Sequence, residues 1–232
     1  MINNMVKNSN GSIHEINQAT DAQGLTAYYP GSIQGSMLNN DINDFTGNFL
    51  INQGRGTNIQ GSMLNNEIDN YTGNLLINQG YGGNIQNSVI NNALINFTQD
   101  DNNPSDGLRI SQGLAPITNS VINNAVINSN HQSTVSGAFS ISQNRVDNSC
   151  INNLVYGSED NMLGQFGLTN SQICNVSLFS NDIYLHEGYL SGVNGCWIAI
   201  GCNDYQKMIT NLTDTNFFCL TIGNHEIFDL RW

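Results

Sequence analysis

The sequence predicts an all-β protein, a β-solenoid in which the strands of successive repeats stack in parallel. The first observation behind this prediction is an internal repeat. A pentapeptide that begins at Ser36, Ser-Met-Leu-Asn-Asn, recurs at Ser62 and, as Ser-Val-Ile-Asn-Asn, at Ser88, in steps of 26 residues. The second observation is that the apolar runs are short, rich in β-branched residues and interrupted by Asn or Gly, which is typical of strands rather than helices.

Residues 1–30 precede the first clear copy of the repeat. We expect them to form an N-terminal arm or a cap that closes one end of the solenoid. The start of the chain, from Met1 to Lys7, lacks the apolar core of a secretory signal. We therefore do not expect export by the usual secretory route.

Residues 31–176 form the predicted solenoid domain, with coils of about 26 residues. A second motif recurs between the pentapeptides, as Ile-Asn-Gln-Gly at Ile51 and Ile77 and as Ile-Ser-Gln at Ile110 and Ile141. Each repeat thus holds two or three short strands, and none holds a run long enough for a crossover helix. Stacking of such repeats pairs each strand with its copy in the next coil.

The Asn pairs predict a ladder of side-chain amides along the solenoid. Asn tolerates left-handed backbone angles, so we place the pairs at tight corners between strands. Stacked corners bring Asn above Asn, where the amides can hydrogen-bond from coil to coil. The predicted structural ladder is Asn40, Asn66, Asn92, Asn124, Asn153 and Asn175. The preceding column is Asn39, Asn65, Asn91, Asn123 and Asn152, followed by Cys174.

Two longer steps in the repeat indicate insertions. The step from Ser88 to Ser120 is 32 residues, with the excess near 99–107, and the step from Ser120 to Ser149 is 29, with the excess near 129–133. Both segments are rich in turn-forming residues. We expect loops that project from one side of the solenoid, where binding faces often lie.

Residues 177–232 are predicted to form a β-rich aromatic cap or attachment region. The sequence repeat decays after about residue 176, and the aromatic content rises. A cap would cover the open edge of the last coil, which could otherwise pair with another chain. The aromatic residues of this region include Tyr184, Tyr189, Trp197, Tyr205, Phe217, Phe218, Phe228 and Trp232.

With its repeated strands and stacked Asn corners, the sequence resembles the right-handed parallel β-helix superfamily. The resemblance covers about two thirds of the chain and is one of pattern. It implies right-handed coils, and it implies a homotrimer as the oligomeric state, because solenoid spikes of that superfamily are often trimers. Its members include polysaccharide lyases, autotransported adhesins and the spike, tail or capsid-associated proteins of viruses and phages. A left-handed solenoid, whose usual six-residue period is absent here, and a trimeric intertwined fibre are the alternatives.

Composition excludes several classes of partner. The 232 residues include only 6 Lys and Arg against 18 Asp and Glu, which gives a net charge of -12. Such a chain cannot neutralise many phosphates or dock on anionic lipid, so we expect neither a nucleic-acid nor a membrane partner. No run of about 18 apolar residues is present, so no membrane insertion is expected. The hydrophobic content of 39% favours an ordered chain over a disordered one.

Asp41 and Glu67 are the candidate residues for catalysis in an acidic groove. They occupy the same repeat position, so stacking would place them about 4.8 Å apart. Glycosidases use two carboxylates about 5 to 9.5 Å apart. The next repeat has Ala93 at this position, which favours a solvated face over a catalytic pair.

No cofactor and no metal site are predicted. The acidic loop 100–107 offers the oxygen ligands that calcium prefers but lacks the spacing of known calcium loops, so we interpret it as an exposed turn. The pairs His186-Glu187 and His225-Glu226 lack the spacing of a zinc site. An odd number of cysteines without a CxxC motif indicates free thiols. These cysteines are Cys150, Cys174, Cys196, Cys202 and Cys219.

Three functions are open at this stage. The first is a structural or assembly protein of a virus or phage particle, assembled in the host cytoplasm and partnered by other structural proteins. The abundance of Asn and Ile fits an AT-rich genome, which many phages and large viruses have. The second is a polysaccharide lyase or hydrolase, for which Arg109 and Arg145, in the repeat region, are candidates for the proton-abstracting base. The third is a glycan-binding module. For the last two, the location would be extracellular or at the cell surface by a non-classical route.

Overall fold

The computed structural model describes eleven stretches of the chain. Every regular element in them is a β-strand, and nearly all strand pairs are parallel, which confirms the predicted all-β class. The described residues are 2–20, 33–55, 58–80, 82–98, 108–113, 115–129, 139–158, 161–180, 183–202, 205–222 and 227–231.

The largest sheet has 15 strands and is strongly curled, because three long strands run through two of its walls. These long strands are β1 (Ile2–Thr20), β3 (Met37–Arg55) and β5 (Met63–Gln79). The first wall holds their N-terminal halves together with β7 (Val89–Thr98), β10 (Val121–Ile127), β13 (Cys150–Tyr156), β15 (Gln172–Leu178), β17 (Asn194–Ile200), β19 (Asn216–Ile222) and β20 (Ile227–Arg231).

The second wall continues the same sheet, and a separate sheet of two-residue strands forms the third wall. The second wall holds the C-terminal halves of the long strands and β8 (Leu108–Gln112), β11 (Phe139–Asn144), β14 (Asn161–Phe166), β16 (Ile183–Ser191) and β18 (Tyr205–Thr213). The third wall holds β2 (Ile33–Gln34), β4 (Ile59–Gln60), β6 (Ile85–Gln86), β9 (Ile117–Thr118) and β12 (Val146–Asp147).

The register of the paired strands follows the sequence repeat. Met37 lies opposite Met63, and Met63 lies opposite Val89, as the steps of 26 residues predict. From β13 onward the offset between paired residues is 22, since Cys150 lies opposite Gln172 and Gln172 lies opposite Asn194. The repeat is therefore shortest in the C-terminal part of the described chain.

Parallel pairing continues beyond residue 176, where the sequence repeat fades. β15 pairs with β17 and β17 with β19 in parallel, and only the last strand, β20, pairs antiparallel with its neighbour. β20 lies along the outer edge of β19 and covers it. A separate cap over residues 177–232 stays a prediction.

Burial alternates along the strands of the first wall, as expected for a wall with one face in the core. Along β5, Leu64 and Ile68 are buried, whereas Met63 is partly exposed and Glu67 is exposed. Register stacks the buried side chains into apolar rows along the molecule. One row is Leu38, Leu64, Ile90, Ile122, Ile151 and Ile173, and another is Ile42, Ile68, Leu94, Val126 and Val155.

The Asn pairs do not lie at corners, and this part of the prediction is wrong. Asn39 and Asn40 lie inside β3 without positive φ, and the residue other than glycine that has a left-handed backbone in that strand is Asp44, at φ 51°. The left-handed corner residues form a ladder of their own, in which Asn70 donates Nδ2 to Oδ1 of Asp44 at 3.2 Å, so a column of stacked amides does not by itself identify a corner. The first corner, between the first and second walls, is formed by Asp44, Asn70, Asn96, Asn128, Gly157, Phe179 and Gly201, all with positive φ.

Candidate functional site

Asn side chains stack inside the molecule to form the inner Asn ladder. Asn40 donates Nδ2 to Oδ1 of Asn66 at 2.6 Å, and the same contact recurs at 2.7–2.8 Å along the ladder. Each of these side chains is at most 2% exposed. These six side chains are the ones predicted from the sequence: Asn40, Asn66, Asn92, Asn124, Asn153 and Asn175. Asn4, which the prediction did not include, extends the ladder by donating Nδ2 to Oδ1 of Asn40 at 2.9 Å. Trp197, also buried, follows Asn175 in the register.

A second buried ladder, which the sequence prediction missed, runs along the second wall. Its Gln side chains donate Nε2 to the Oε1 of the preceding repeat at 2.7–3.0 Å. The signal was present in the sequence, because in every member but Gln165 this Gln is the third residue of an Ile-Asn-Gln or Ile-Ser-Gln motif. The Gln ladder is Gln18, Gln53, Gln79, Gln112, Gln143 and Gln165.

The two buried ladders hydrogen-bond to each other in every repeat. Asn92 donates Nδ2 to Oε1 of Gln79 at 3.0 Å, and Gln79 donates Nε2 to Oδ1 of Asn92 at 3.1 Å. Buried amides that find partners both along and across the interior are fully satisfied. The ladders therefore tie the first wall to the second and make the interior rigid.

The outer face is formed by the outward side chains of the first wall, and the outer Asn ladder runs along it. Asn65 donates Nδ2 to Oδ1 of Asn39 at 2.8 Å, and related contacts of 2.7–3.0 Å extend in both directions. These side chains are partly or fully exposed, unlike those of the inner ladder. The outer Asn ladder is Asn3, Asn39, Asn65, Asn91, Asn123 and Asn152.

Asp41 and Glu67 lie at the acidic end of the outer face, directly opposite each other on β3 and β5. Lys7 Nζ lies 3.8 Å from Asp41 Oδ2, and Asn43 donates Nδ2 to Asp41 Oδ1 at 3.0 Å. Both carboxylates line an open depression of about 830 Å³ that runs beside the Asn ladders. The structure thus brings the two predicted residues together, and Ala93 follows them in the same row, as the sequence indicated.

The rest of the outer face, over β7, β10, β13, β15 and β17, is named the apolar half, and the outer Asn ladder crosses it at Asn91, Asn123 and Asn152. Its outward residues, all within the described part of the chain, include no charged side chain. Val121 is 38% exposed and Tyr156 is 41% exposed, which is unusual for large apolar side chains in the middle of a sheet. The other apolar members are Val89, Ala93, Ile95, Ala125, Ile127, Leu154, Val176, Leu178, Ile198 and Ile200.

An exposed aromatic pair borders the apolar half at the first corner. Phe179 is 61% exposed, and its ring packs edge-on against that of Tyr156 with the centroids 6.0 Å apart. Phe179 has a left-handed backbone, at φ 49°, where the neighbouring repeats have Gly157 and Gly201. A side chain at Gly201 would collide with the Phe179 ring. The corner is thus arranged around an exposed aromatic ring.

Cysteines occupy the positions that continue the outer Asn ladder beyond Asn152. Cys174 follows Asn152 in the register and Cys196 follows Cys174, with their sulfur atoms 2.9 Å apart. Both are partly exposed free thiols, as is Cys150. Cys202 is also a free thiol but is buried. The three partly exposed thiols are therefore extensions of the outer face.

Several sequence candidates lie outside the described residues, namely the acidic loop 100–107, His131 and the pair His225-Glu226, together with the side chains of His186 and Glu187. Within the described stretches, no group of three His, Cys, Asp or Glu side chains could hold a metal ion. No helix long and apolar enough to cross a membrane occurs in those same stretches.

Comparisons with known proteins give no relative. No protein-family model matches the sequence, no curated protein matches it significantly, and no solved structure gives a significant match. The function has to be inferred from the residues of the chain itself.

Proposed function

We propose that the chain is a structural protein, a rigid solenoid scaffold that belongs to a larger assembly in a virus or phage particle. The observation that carries the proposal is the pair of cross-linked amide ladders, which extend from Gln18 to Asn175. A fully satisfied buried network resists local opening, and rigidity is what a scaffold requires. The neutral, apolar half of the outer face supplies a surface on which another protein can dock.

We further propose that the curled sheet belongs to a right-handed parallel β-helix. Support comes from the parallel register of the three walls and from the resemblance in sequence pattern. In this interpretation the predicted coil of about 26 residues applies to the repeats from β3 to β7, and the coils have 22 residues from Cys150 onward. The antiparallel strand β20 is the element that caps the last coil.

Other structural proteins of the particle are the partners in this proposal, and the host cytoplasm is the site of assembly. The few basic residues, 6 in all, agree with an assembly held by protein contacts rather than by nucleic acid or lipid. Immunogold labelling with an antibody against the chain tests this on purified particles of the virus or phage whose genome encodes it. We expect gold on the particle surface at a regular position. Absence of the chain from washed particles, judged by mass spectrometry, would contradict the proposal.

Glycan binding or cleavage is the second candidate function, and the acidic end of the outer face favours it. Asp41 and Glu67 line the same depression as the amides of the outer Asn ladder, and carboxylates beside amides suit the hydroxyl groups of a sugar. A panel of acidic and neutral polysaccharides, incubated with the purified chain and assayed for reducing ends and unsaturated products, tests for cleavage. Activity that Asp41→Asn or Glu67→Gln abolishes would make the enzyme the better assignment. Binding without cleavage would favour a glycan-binding module.

A further inference from the structure

We propose that the apolar half of the outer face, together with Phe179, is the surface on which a second copy of this chain docks, related to the first by a two-fold axis. This inference rests on the proposed function as a structural protein and specifies one of its contacts. It departs from the trimer that the resemblance in sequence pattern implies.

Charge is the first argument for a second copy as the occupant. The chain has a net charge of -12, so two copies repel each other unless they meet on neutral surfaces. The outward residues of β7, β10, β13, β15 and β17 supply such a surface, since none of them is charged. The acidic residues Asp41, Glu67 and Asp69 lie on the same face but over β3 and β5.

The distribution of charge along the outer face favours one symmetry of the dimer over the other. Side-by-side copies with parallel axes would place the two acidic ends against each other. A two-fold axis perpendicular to the long axis of the molecule reverses one copy, so that the apolar halves overlap and the acidic ends lie at opposite ends of the pair. The same patch then serves both copies, as an isologous interface requires.

The area of the apolar half is the second argument. Five strands at about 4.8 Å spacing, each seven residues long at about 3.3 Å per residue, cover roughly 550 Å². Two such surfaces in contact bury about 1,100 Å², which reaches the minimum of about 1,000 Å² for a specific protein interface. Ala125, Leu154 and Val176 of this surface line the open depression described above, so side chains of the second copy enter that depression where the contact covers the whole of this area.

The backbone of Phe179 is the third and independent argument. At this corner of the preceding repeats the chain has Asn70, Asn96, Asn128 and Gly157, which adopt left-handed angles readily. Phe does not, and a bulky residue at φ 49° is strained. Backbone strain at Phe179 that does not benefit the fold indicates a functional role. Exposed aromatic rings, such as this one beside Tyr156, contribute much of the binding energy of protein interfaces.

The substitution Phe179→Asn distinguishes a role of the ring in the interface from a role in the stability of the fold. Asn is the residue that three other repeats use at this corner, so the variant should unfold at the same temperature as the parent chain or higher. If the ring is an interface anchor, the same variant should raise the dissociation constant of the dimer by about thirtyfold or more. Opposite effects on stability and on association are not expected from a ring that serves the fold alone.

Tyr189→Asn is the matched control. Tyr189 is also an exposed aromatic, at 68%, with a left-handed backbone at φ 58°, but it lies at the corner that follows the second wall. The change is therefore of the same kind at a site away from the apolar half, and it should leave association unchanged. Val121→Glu, in the middle of the apolar half, is a second interface variant and should weaken the dimer by introducing a buried unpaired charge.

Sedimentation equilibrium of the full chain, from nanomolar to tens of micromolar, is the measurement. The inference predicts a reversible dimer that Phe179→Asn and Val121→Glu weaken and Tyr189→Asn does not. It is overturned by a monomer or a trimer over the whole range, by a dimer that both interface variants leave intact, or by equal weakening in the control. A monomer would leave the proposed function standing, because particle labelling tests that function separately.

Discussion

At the scale of single residues, two adjacent asparagines have different environments. The side chain of Asn91 lies on the outer face, where it hydrogen-bonds to Asn65 and water can replace any lost partner. Asn92 is buried and exchanges hydrogen bonds with Asn66, Gln79 and Asn124. An amide without a partner in the interior costs far more than one at the surface. The outer Asn ladder is therefore open to change, whereas the inner one is required by the fold.

We expect Asn92→Ala to lower the free energy of unfolding by about 2 to 3 kcal/mol, because it removes buried hydrogen bonds and leaves a cavity. The matched change Asn91→Ala should lower it by less than about 1 kcal/mol, since its amide is partly exposed. Urea denaturation followed by circular dichroism measures both. Equal losses in the two variants would show that the inner ladder contributes no more to stability than the outer one.

Tyr71 is the other residue whose environment predicts a measurable effect. Its ring stacks between Phe45 and Phe97, with centroids 5.3 and 5.4 Å away, and its hydroxyl lies 2.6 Å from the carbonyl oxygen of Gly47. Burial raises the pKa of the Tyr71 phenol well above its usual range. The folded protein therefore keeps this phenol neutral at pH values where the unfolded chain ionises it.

The contribution of Tyr71 to the free energy of unfolding decreases at alkaline pH. Stability that arises from Tyr71 is complete below the unfolded pKa of about 10 and is lost as pH rises above it, at up to about 1.4 kcal/mol per pH unit. Tyr71→Phe should remove this loss and cost about 1 kcal/mol at neutral pH, through the lost hydrogen bond. Denaturation midpoints between neutral and strongly alkaline pH measure both effects. The control Tyr156→Phe, at an exposed ring, should retain the alkaline loss, and if it abolishes that loss, Tyr71 is not its source.

At the scale of the elements, the sequence predicted the strands and the identity of the inner Asn ladder but not the corners. The step of 26 residues from Ser36 to Ser62 determines the register, so stacking of Asn40 on Asn66 could be derived. The corner could not, because Asn suits both a left-handed turn and a stacked ladder, and the chain has Asn at both kinds of position. The corner residue of this repeat is Asn70, which the prediction missed because the pair Asn65-Asn66 recurs more regularly.

The Gln ladder and the apolar half could not be located without the register. Gln79 repeats as faithfully as Asn92, but only the curl of the sheet brings the two amides within hydrogen-bond distance. Likewise, the exposed apolar surface depends on which alternate residues of each strand face outward, and a shift of one residue would exchange the two faces. Asp41 and Glu67, by contrast, were correctly expected to be neighbours because they share a repeat position.

The bend inside the long strands depends on a close backbone contact, and this gives a prediction at the scale of the element. Gly73 has φ 137°, and a Cβ atom there would overlap the carbonyl oxygen of Gly47. We expect Gly73→Ala to lower the free energy of unfolding by at least about 3 kcal/mol, since backbone of the neighbouring strand must move. Gly61→Ala is the control, with φ 57° and open space around the new methyl group, and should cost about 1 kcal/mol. Thermal and urea unfolding of both variants provide the comparison, and equal costs would contradict the contact.

At the scale of the whole molecule, charge and apolar surface are separated along one face. The chain has 18 acidic and 6 basic residues, so carboxylates outnumber cations by three to one. Asp41, Glu67 and Asp69 lie at one end of the outer face, and the uncharged strands lie beyond them. Long-range repulsion and short-range apolar attraction therefore act on different parts of the same surface, and salt affects only the first.

This separation predicts that salt strengthens the pairing of two copies. Between about 0.01 M and about 0.15 M ionic strength the Debye length falls from about 30 Å to about 8 Å, which screens the repulsion between two chains of like charge. The apolar contact itself is not weakened, so the dissociation constant of the dimer should fall several-fold as sodium chloride is added. Sedimentation equilibrium at a series of salt concentrations measures it.

A variant with fewer acidic side chains distinguishes a two-fold dimer from a dimer of parallel copies. The double variant Asp41→Asn with Glu67→Gln removes two negative charges from the acidic end of each copy. If a two-fold axis keeps the acidic ends apart, the salt dependence should change only slightly, because the removed charges of the two copies then lie about five strands, roughly 24 Å, apart instead of against each other. If the copies lay parallel, removal of these charges would strengthen the dimer sharply at low salt. Weakening of the dimer by salt would instead mean that ion pairs, rather than the apolar half, hold the two copies together.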